Sequence, residues 1–97
     1  MDPELRGILE FLEKHEIRAT YQAVGEAISI SARAVGAMLG ARNPKASWVV
    51  ASDTGTPTGY KPEEEHPALY KNPRIIRTGS QLMRYMNSEA LRGSTPG

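Results

Sequence analysis

The stretch that decides the fold is ATYQAVGEAISISARAVGAMLGARNP, which covers residues 19–44. It contains two short helical patterns, each opened by a residue suited to an N-cap, Thr20 and Ser31. The apolar positions of these patterns recur with the period of an amphipathic helix: Val24, Ala27, Ile28, Val35, Met38 and Leu39. Two short helices joined by a turn of about three or four residues predict a helix-turn-helix.

The segments on either side supply two further helices. Asp2 and Pro3 suit an N-cap and a first helical position, and the predicted helix ends near His15. Thr78 is the predicted cap of a last helix. The expected apolar stripes of these two helices are Leu5, Ile8, Leu9 and Leu12 in the first, and Leu82, Met83 and Met86 in the last.

Between the helices, residues 48–60 read as a small β hairpin. Trp48, Val49, Val50 and Ala51 suit one strand, and a turn at residues 53–55 leads to a return strand over residues 56–60. Residues 61–72 read as an irregular loop, and a further short strand is expected around residues 75–76. The predicted fold is mainly α with a small β hairpin (α+β): one winged-helix-like domain over residues 1–91, followed by a flexible tail at residues 92–97.

Composition limits the classes of function. The 97 residues suffice for one small domain, and the absence of cysteine excludes disulfides, thiolate metal sites and a cysteine nucleophile. Charge alternates along the chain: residues 1–17 carry two basic and five acidic groups, residues 18–50 four and one, residues 51–66 one and four, and residues 67–97 five and one. This pattern leaves room for one positive face. Because no apolar run could span a bilayer and no targeting signal is visible, we expect a cytoplasmic protein.

The elements TYQAVGEAI, SARAVGAMLGARNP and WVVASDTGTPTGY resemble the C-terminal DNA-binding domain of O6-alkylguanine-DNA alkyltransferases and of the alkyltransferase-like proteins. The resemblance covers roughly residues 18–60. It implies a winged-helix-like fold whose recognition helix enters the minor groove. The enzymes of that family carry a reactive Pro-Cys-His-Arg before paired valines, whereas this chain has Ala46, Ser47 and Trp48 at the Cys-His-Arg positions. Alkyl transfer to sulfur is therefore excluded.

The resemblance also implies roles for single residues. Tyr21 corresponds to the tyrosine that crowds the phosphate of the target nucleotide, and Arg33 to the arginine that fills the gap left when a base turns out. Small residues such as Ala34 and Ala37 would let the helix approach the backbone closely. Basic residues flanking the motif, Arg18, Arg42 and Lys45, are expected phosphate contacts. Trp48 and Tyr60 are candidates for a base pocket, although a lone tryptophan beside two valines is more often core.

The favoured interpretation is a non-enzymatic module that binds double-stranded DNA and is a candidate sensor of modified or distorted duplex. The alternative is a protein-interaction or adaptor domain that uses the loop at residues 66–70, with Leu69 or Tyr70 at its surface. An enzyme ranks last because the sequence shows no catalytic constellation. Isolated histidines, His15 and His66, predict no metal site, and no cofactor motif is present.

Overall fold

The structure is a computed structural model of the 97-residue chain and describes residues 3–40 and 43–94. In chain order the elements are α1 (Pro3–His15), β1 (Arg18–Thr20), α2 (Tyr21–Ile28), α3 (Ala32–Leu39), β2 (Val49–Val50), β3 (Ile75–Ile76) and α4 (Gly79–Ser94). Short 3-10 turns lie at Ala46–Trp48 and Pro62–Glu64. The expected α+β class is confirmed in this coarse form. Helix α4 includes residues 92–94, which were predicted as tail, whereas the predicted N-cap Asp2 and residues 95–97 lie outside the described residues.

The β structure is a three-stranded parallel sheet and not the predicted hairpin. The strand order is β2-β1-β3, with Ala19 opposite Val49 on one side and opposite Ile76 on the other. After β2 the chain enters turns, closed by hydrogen bonds from Ala51 N to Thr56 O (3.0 Å) and from Gly55 N to Ala51 O (2.8 Å), and residues 56–60 form no strand. The hairpin prediction was wrong because residues 49–50 pair with β1, a strand that the sequence pattern did not reveal.

One cluster of buried side chains joins the helices and the sheet. Trp48 is fully buried in this cluster, and Val49, the first residue of β2, belongs to the same cluster. Met83 was predicted in the apolar stripe of α4, but its side chain is 43% exposed. The other large side chains with almost no exposure are Leu5, Leu9, Leu12, Leu69, Ile76, Leu82, Val24, Val35 and Val50.

The connection between α2 and α3 is compact because both helix ends are locally satisfied. Thr20 Oγ1 accepts from Ala23 N (3.0 Å) and Ser31 Oγ accepts from Ala34 N (3.1 Å), which confirms both predicted N-caps. Helix α2 ends on Ser29 in the left-handed conformation (φ 63°), with Ile30 N donating to Gly25 O (2.8 Å). Only three residues therefore separate the two helices, which pack together.

Helix α4 docks on α2 and not on α3. Its predicted cap is confirmed, since Gln81 N donates to Thr78 Oγ1 (3.1 Å). Gly79 N also donates across to the carboxylate of Glu26 in α2 (2.7 Å). A Cβ on Gly79 would collide with Glu26 Cβ and lie 3.0 Å from Ala27 N, so glycine permits this close approach. Since α4 lies against α2, it leaves the outer side of α3 uncovered.

Candidate nucleic-acid interface

The N-terminal turns of α2 and α3 bring Tyr21 and Arg33 to one open groove. Tyr21 is the first residue of α2, and Arg33 is the second residue of α3. Gly36 lies one turn further along α3, where an added Cβ would stand 4.0 Å from the Tyr21 ring. The groove measures about 430 Å³, and Ala32 and Thr58 complete its lining. The two side chains that the sequence singled out therefore share one surface.

Arg33 is exposed and carries no internal partner. Among the side chains that the structure describes, those of residues 3–40 and 43–88, its guanidinium has no hydrogen-bond or ion-pair partner. The position is mildly unfavourable for a cation, because the first turn of a helix is its positive end. No carboxylate of the described chain compensates for this. An uncompensated cation at a helix start is therefore available to an external anion.

The exposed side of α3 consists of small residues around this arginine. Ala32, Gly36 and Ala37 are exposed, and Gly40 continues the same side at the C-cap, whereas Ala34 is half-buried. Among these exposed residues of α3, Arg33 alone has a side chain longer than a methyl group. A flat surface, such as a sugar-phosphate backbone, can therefore approach the helix closely.

Arg18 does not belong to this interface, which corrects the expected phosphate contact. It is 8% exposed and donates from Nη1 to Gly55 O (2.9 Å) and from Nη2 to Asn72 O (3.1 Å). Its guanidinium also lies 5.2 Å from the ring centre of Tyr70. The side chain extends from the central strand and joins the two ends of the long connection between β2 and β3, near Gly55 and near Asn72. Arg18 is therefore a structural clamp.

The other two flanking cations are placed differently. Lys45 Nζ lies 3.7 Å from Glu10 of α1, in an exposed ion pair of the kind that contributes little to stability. It shares a shallow cavity with Arg6 and lines no part of the groove at Tyr21. Arg42 lies outside the described residues.

Trp48 and Tyr60 do not form the expected base pocket. Trp48 is fully buried, with its indole packed 4.8 Å from the His66 ring, so it is core and cannot stack on an incoming base. Tyr60 is half-buried, and its hydroxyl accepts from Asn43 N (3.2 Å). The pocket prediction is wrong for Trp48 because the 3-10 turn that carries it points the indole inward, ahead of a buried strand.

Ala32, Gly36 and Thr58 line the groove but were not among the predicted site residues, and Thr58 is the one that lies far from α2 and α3 in the chain. It lies in the turn region after β2, which two arginines hold in place through backbone carbonyls: Arg18 at Gly55 O and Arg77 at Ser52 O (2.9 Å). Gly55 has φ +70°, a conformation that favours glycine. These contacts join residues 25 or more positions apart, so no local pattern could have predicted them.

The loop proposed for the adaptor alternative is mostly internal. Leu69 is 1% exposed and belongs to the core, so it offers no surface to a partner. Tyr70 is half-exposed, and its hydroxyl donates to Glu65 (2.7 Å). The pKa of Tyr70 is raised to about 12, mainly by partial burial of the phenol and secondly by this hydrogen bond to the Glu65 carboxylate. The loop therefore presents one aromatic side chain that already has internal partners, which does not favour a docking surface.

Groups of metal ligands and membrane-spanning helices are both absent from the described residues. The described side chains, those of residues 3–40 and 43–88, include no group of three or more histidine, aspartate or glutamate residues placed to hold a metal ion. No helix in the same ranges combines the length and apolar character needed to cross a bilayer. Comparison with protein-family models, curated proteins and solved structures finds no match to the chain.

Proposed function

We propose that the protein is a non-enzymatic module that binds double-stranded DNA, resembles the alkyltransferase-like proteins and inserts Arg33 from helix α3 into the minor groove. The observation that carries the proposal is the exposed, uncompensated guanidinium of Arg33 at the start of a helix whose outer side is otherwise alanine and glycine. In this proposal α2 and α3 act as a helix-turn-helix within a winged-helix-like domain. The turn region that carries Thr58 flanks the protein groove at Tyr21 and Arg33.

The size of the α3 side chains supports close approach to the duplex. A helix bearing larger residues would hold the DNA backbone away, and the arginine would then reach only phosphate. Because Ala32, Gly36 and Ala37 lie at the surface, the Arg33 guanidinium extends furthest from this face and can enter the groove between the two DNA strands. Side chains that insert at a base step partly unstack it, which costs a few kcal/mol.

Tyr21 provides a second contact at the same groove. Its ring packs beside Gly36, and its hydroxyl has no hydrogen-bond partner among the described residues. A phenol held in this way can donate to a phosphate oxygen while its ring crowds the nucleotide. The resemblance assigns this role to Tyr21, and its place beside Arg33 is consistent with it.

The proposal includes a preference for weakened duplex. Because unstacking costs least at a mismatched or modified base pair, an inserted arginine gains most affinity there. The absence of cysteine from the whole chain means that binding would not be followed by transfer of an alkyl group to sulfur. The expected outcome is recognition of the altered site without its repair.

The test is a fluorescence-anisotropy titration of a labelled duplex, either unmodified or carrying one O6-methylguanine, at several salt concentrations. We expect affinity to fall as salt rises, since each neutralised phosphate releases counterions. Arg33→Ala should weaken binding by roughly tenfold or more, in the range found for arginines that reach bases. Arg84→Ala is the matched control, because Arg84 is an exposed arginine on α4 that lines no part of the groove.

Two results would overturn the proposal. One is the absence of binding to either duplex at low salt. The other is an equal loss of affinity in the Arg33 and Arg84 variants, which would indicate attraction between DNA and any surface cation. Tyr21→Phe then examines the phenol separately, with a smaller loss expected because the ring is retained.

A further inference from the structure

A second cavity, distinct from the groove at Arg33, lies where the end of α1 faces α4 and the approach to β3. It measures about 560 Å³, which falls within the range of small-molecule sites. Phe11 and Ile17 give it apolar walls. Its polar lining consists of His15, Asn72, Arg74, Tyr85 and Ser88, and it shares no lining residue with the groove at Tyr21.

The hydrogen bonds around this cavity leave donors facing it. Arg74 Nη1 donates to the hydroxyl oxygen of Tyr85, and the guanidinium lies 5.9 Å from the centre of that ring. The phenol oxygen is thus an acceptor for Arg74, and its own hydrogen has no acceptor among the described residues. Both groups therefore offer hydrogens to an incoming molecule.

Asn72 contributes in the same sense. Its side-chain oxygen accepts from Arg74 N (3.0 Å) and its backbone oxygen accepts from Arg18 Nη2 (3.1 Å). Its side-chain NH2 group has no acceptor among the described residues and can donate to a ligand. None of the described lining residues is an aspartate or a glutamate.

We propose that this cavity binds a small organic oxyanion, a carboxylate or a phosphate ester, whose apolar body rests against Phe11 and Ile17. Arg74, Tyr85 and Asn72 together present one positive charge and several donors, which is the complement of an oxyanion head group. A neutral molecule of the same shape would leave the guanidinium desolvated without a counter-charge and would bind less well.

The experiment is an NMR titration of the isotopically labelled 97-residue chain with benzoate, phenyl phosphate and neutral benzamide. The proposal expects saturable shifts of the Phe11, His15 and Ser88 amides with at least one oxyanion and markedly weaker binding of benzamide. Comparing the two oxyanions shows whether the head group preferred is a carboxylate or a phosphate. Equal affinity for benzamide, or no saturable shift with either oxyanion at millimolar concentrations, would overturn the proposal.

Variants locate the site. Arg74→Gln should weaken oxyanion binding by about tenfold or more, as expected for loss of a charged hydrogen-bond donor. Tyr85→Phe removes a donor while keeping the ring and should weaken binding by a smaller factor. Arg84→Gln, on the exposed side of α4, should leave the titration unchanged. Unaltered affinity in both the Arg74 and Tyr85 variants would place the binding elsewhere and refute the assignment.

Discussion

Replacing Arg18 with methionine tests whether this arginine stabilises the fold or contacts DNA. The guanidinium makes two hydrogen bonds to carbonyl groups, one buried at Gly55 and one partly buried at Asn72. A hydrogen bond from a charged donor contributes about 1.5–3 kcal/mol, so the two together give a gross loss of about 3–6 kcal/mol. Methionine keeps the apolar stem and removes the cost of desolvating a charge, which lowers the expected net loss to about 2–4 kcal/mol.

The assay is equilibrium unfolding in urea. Domains of this size have a free energy of unfolding of about 5–15 kcal/mol, so the variant should remain mostly folded in water. With an m-value of roughly 1–2 kcal/mol/M, the midpoint should fall by about 1–4 M. Arg84→Met is the control: Arg84 is exposed, and its replacement should change stability by no more than about 0.5 kcal/mol.

The same variant should then be titrated with duplex DNA under conditions where it is folded. Because Arg18 is buried, we expect the affinity and its salt dependence to match those of the wild type. The reasoning would be refuted if the variant had the same urea midpoint as the wild type but bound duplex DNA more weakly and with a smaller dependence on salt. That result would show that the guanidinium contacts phosphate, as the linear sequence suggested.

Two further predictions concern the docking of α4 on α2. Gly79→Ala should lower the free energy of unfolding in urea by about 1–3 kcal/mol, because the added Cβ would collide with Glu26 and crowd Ala27 N. Unchanged stability would show that α2 and α4 are not in such close contact. The hydrogen bond from Gly79 N is the main reason, and that from Gln22 the second, why the pKa of Glu26 lies below its ordinary value of 4.5. The ionised Glu26 carboxylate therefore stabilises the fold above pH 4.5, and this stabilisation is lost as pH falls through the lowered pKa. In thermal melts, Glu26→Gln should therefore be less stable than the wild type at pH 7, and the difference should shrink at pH 3; a constant difference would contradict this origin.

Local signals in the sequence predicted most of the helical structure. The N-caps at Thr20, Ser31 and Thr78 each make the expected side-chain hydrogen bond to a backbone amide. The apolar period of α1 also matches its buried residues. These features depend on residues three or four positions apart, which is why periodicity and capping chemistry suffice to find them.

The sheet could not be predicted in the same way. Strand β1 is three residues long and runs directly into α2, so it shows no alternation that could identify it. Its partners are β2 and β3, whose paired positions are about 30 and 57 residues away in the chain. Val49 and Val50 suit a strand in a hairpin as well as in a parallel sheet, and only the distant partner decides between the two.

The candidate-site residues that belong to the local α2–α3 motif were predicted from the sequence. Those whose position depends on tertiary contacts were missed. Arg33 and Tyr21 were identified from the motif and lie at one groove. Arg18 was misread because its positive charge is visible in the sequence, whereas the two carbonyl groups that bind it are 37 and 54 residues away. Charge alone does not distinguish an internal clamp from a phosphate contact.

The central claim, that Arg33 enters the base stack, is tested most directly with a duplex carrying 2-aminopurine, a base whose fluorescence rises when it is unstacked. At low salt and saturating protein, the wild type should raise the fluorescence of a 2-aminopurine beside a mismatch, whereas Arg33→Ala should bind without raising it. An equal rise with both proteins, or no rise with the bound wild type, would contradict insertion of the Arg33 side chain.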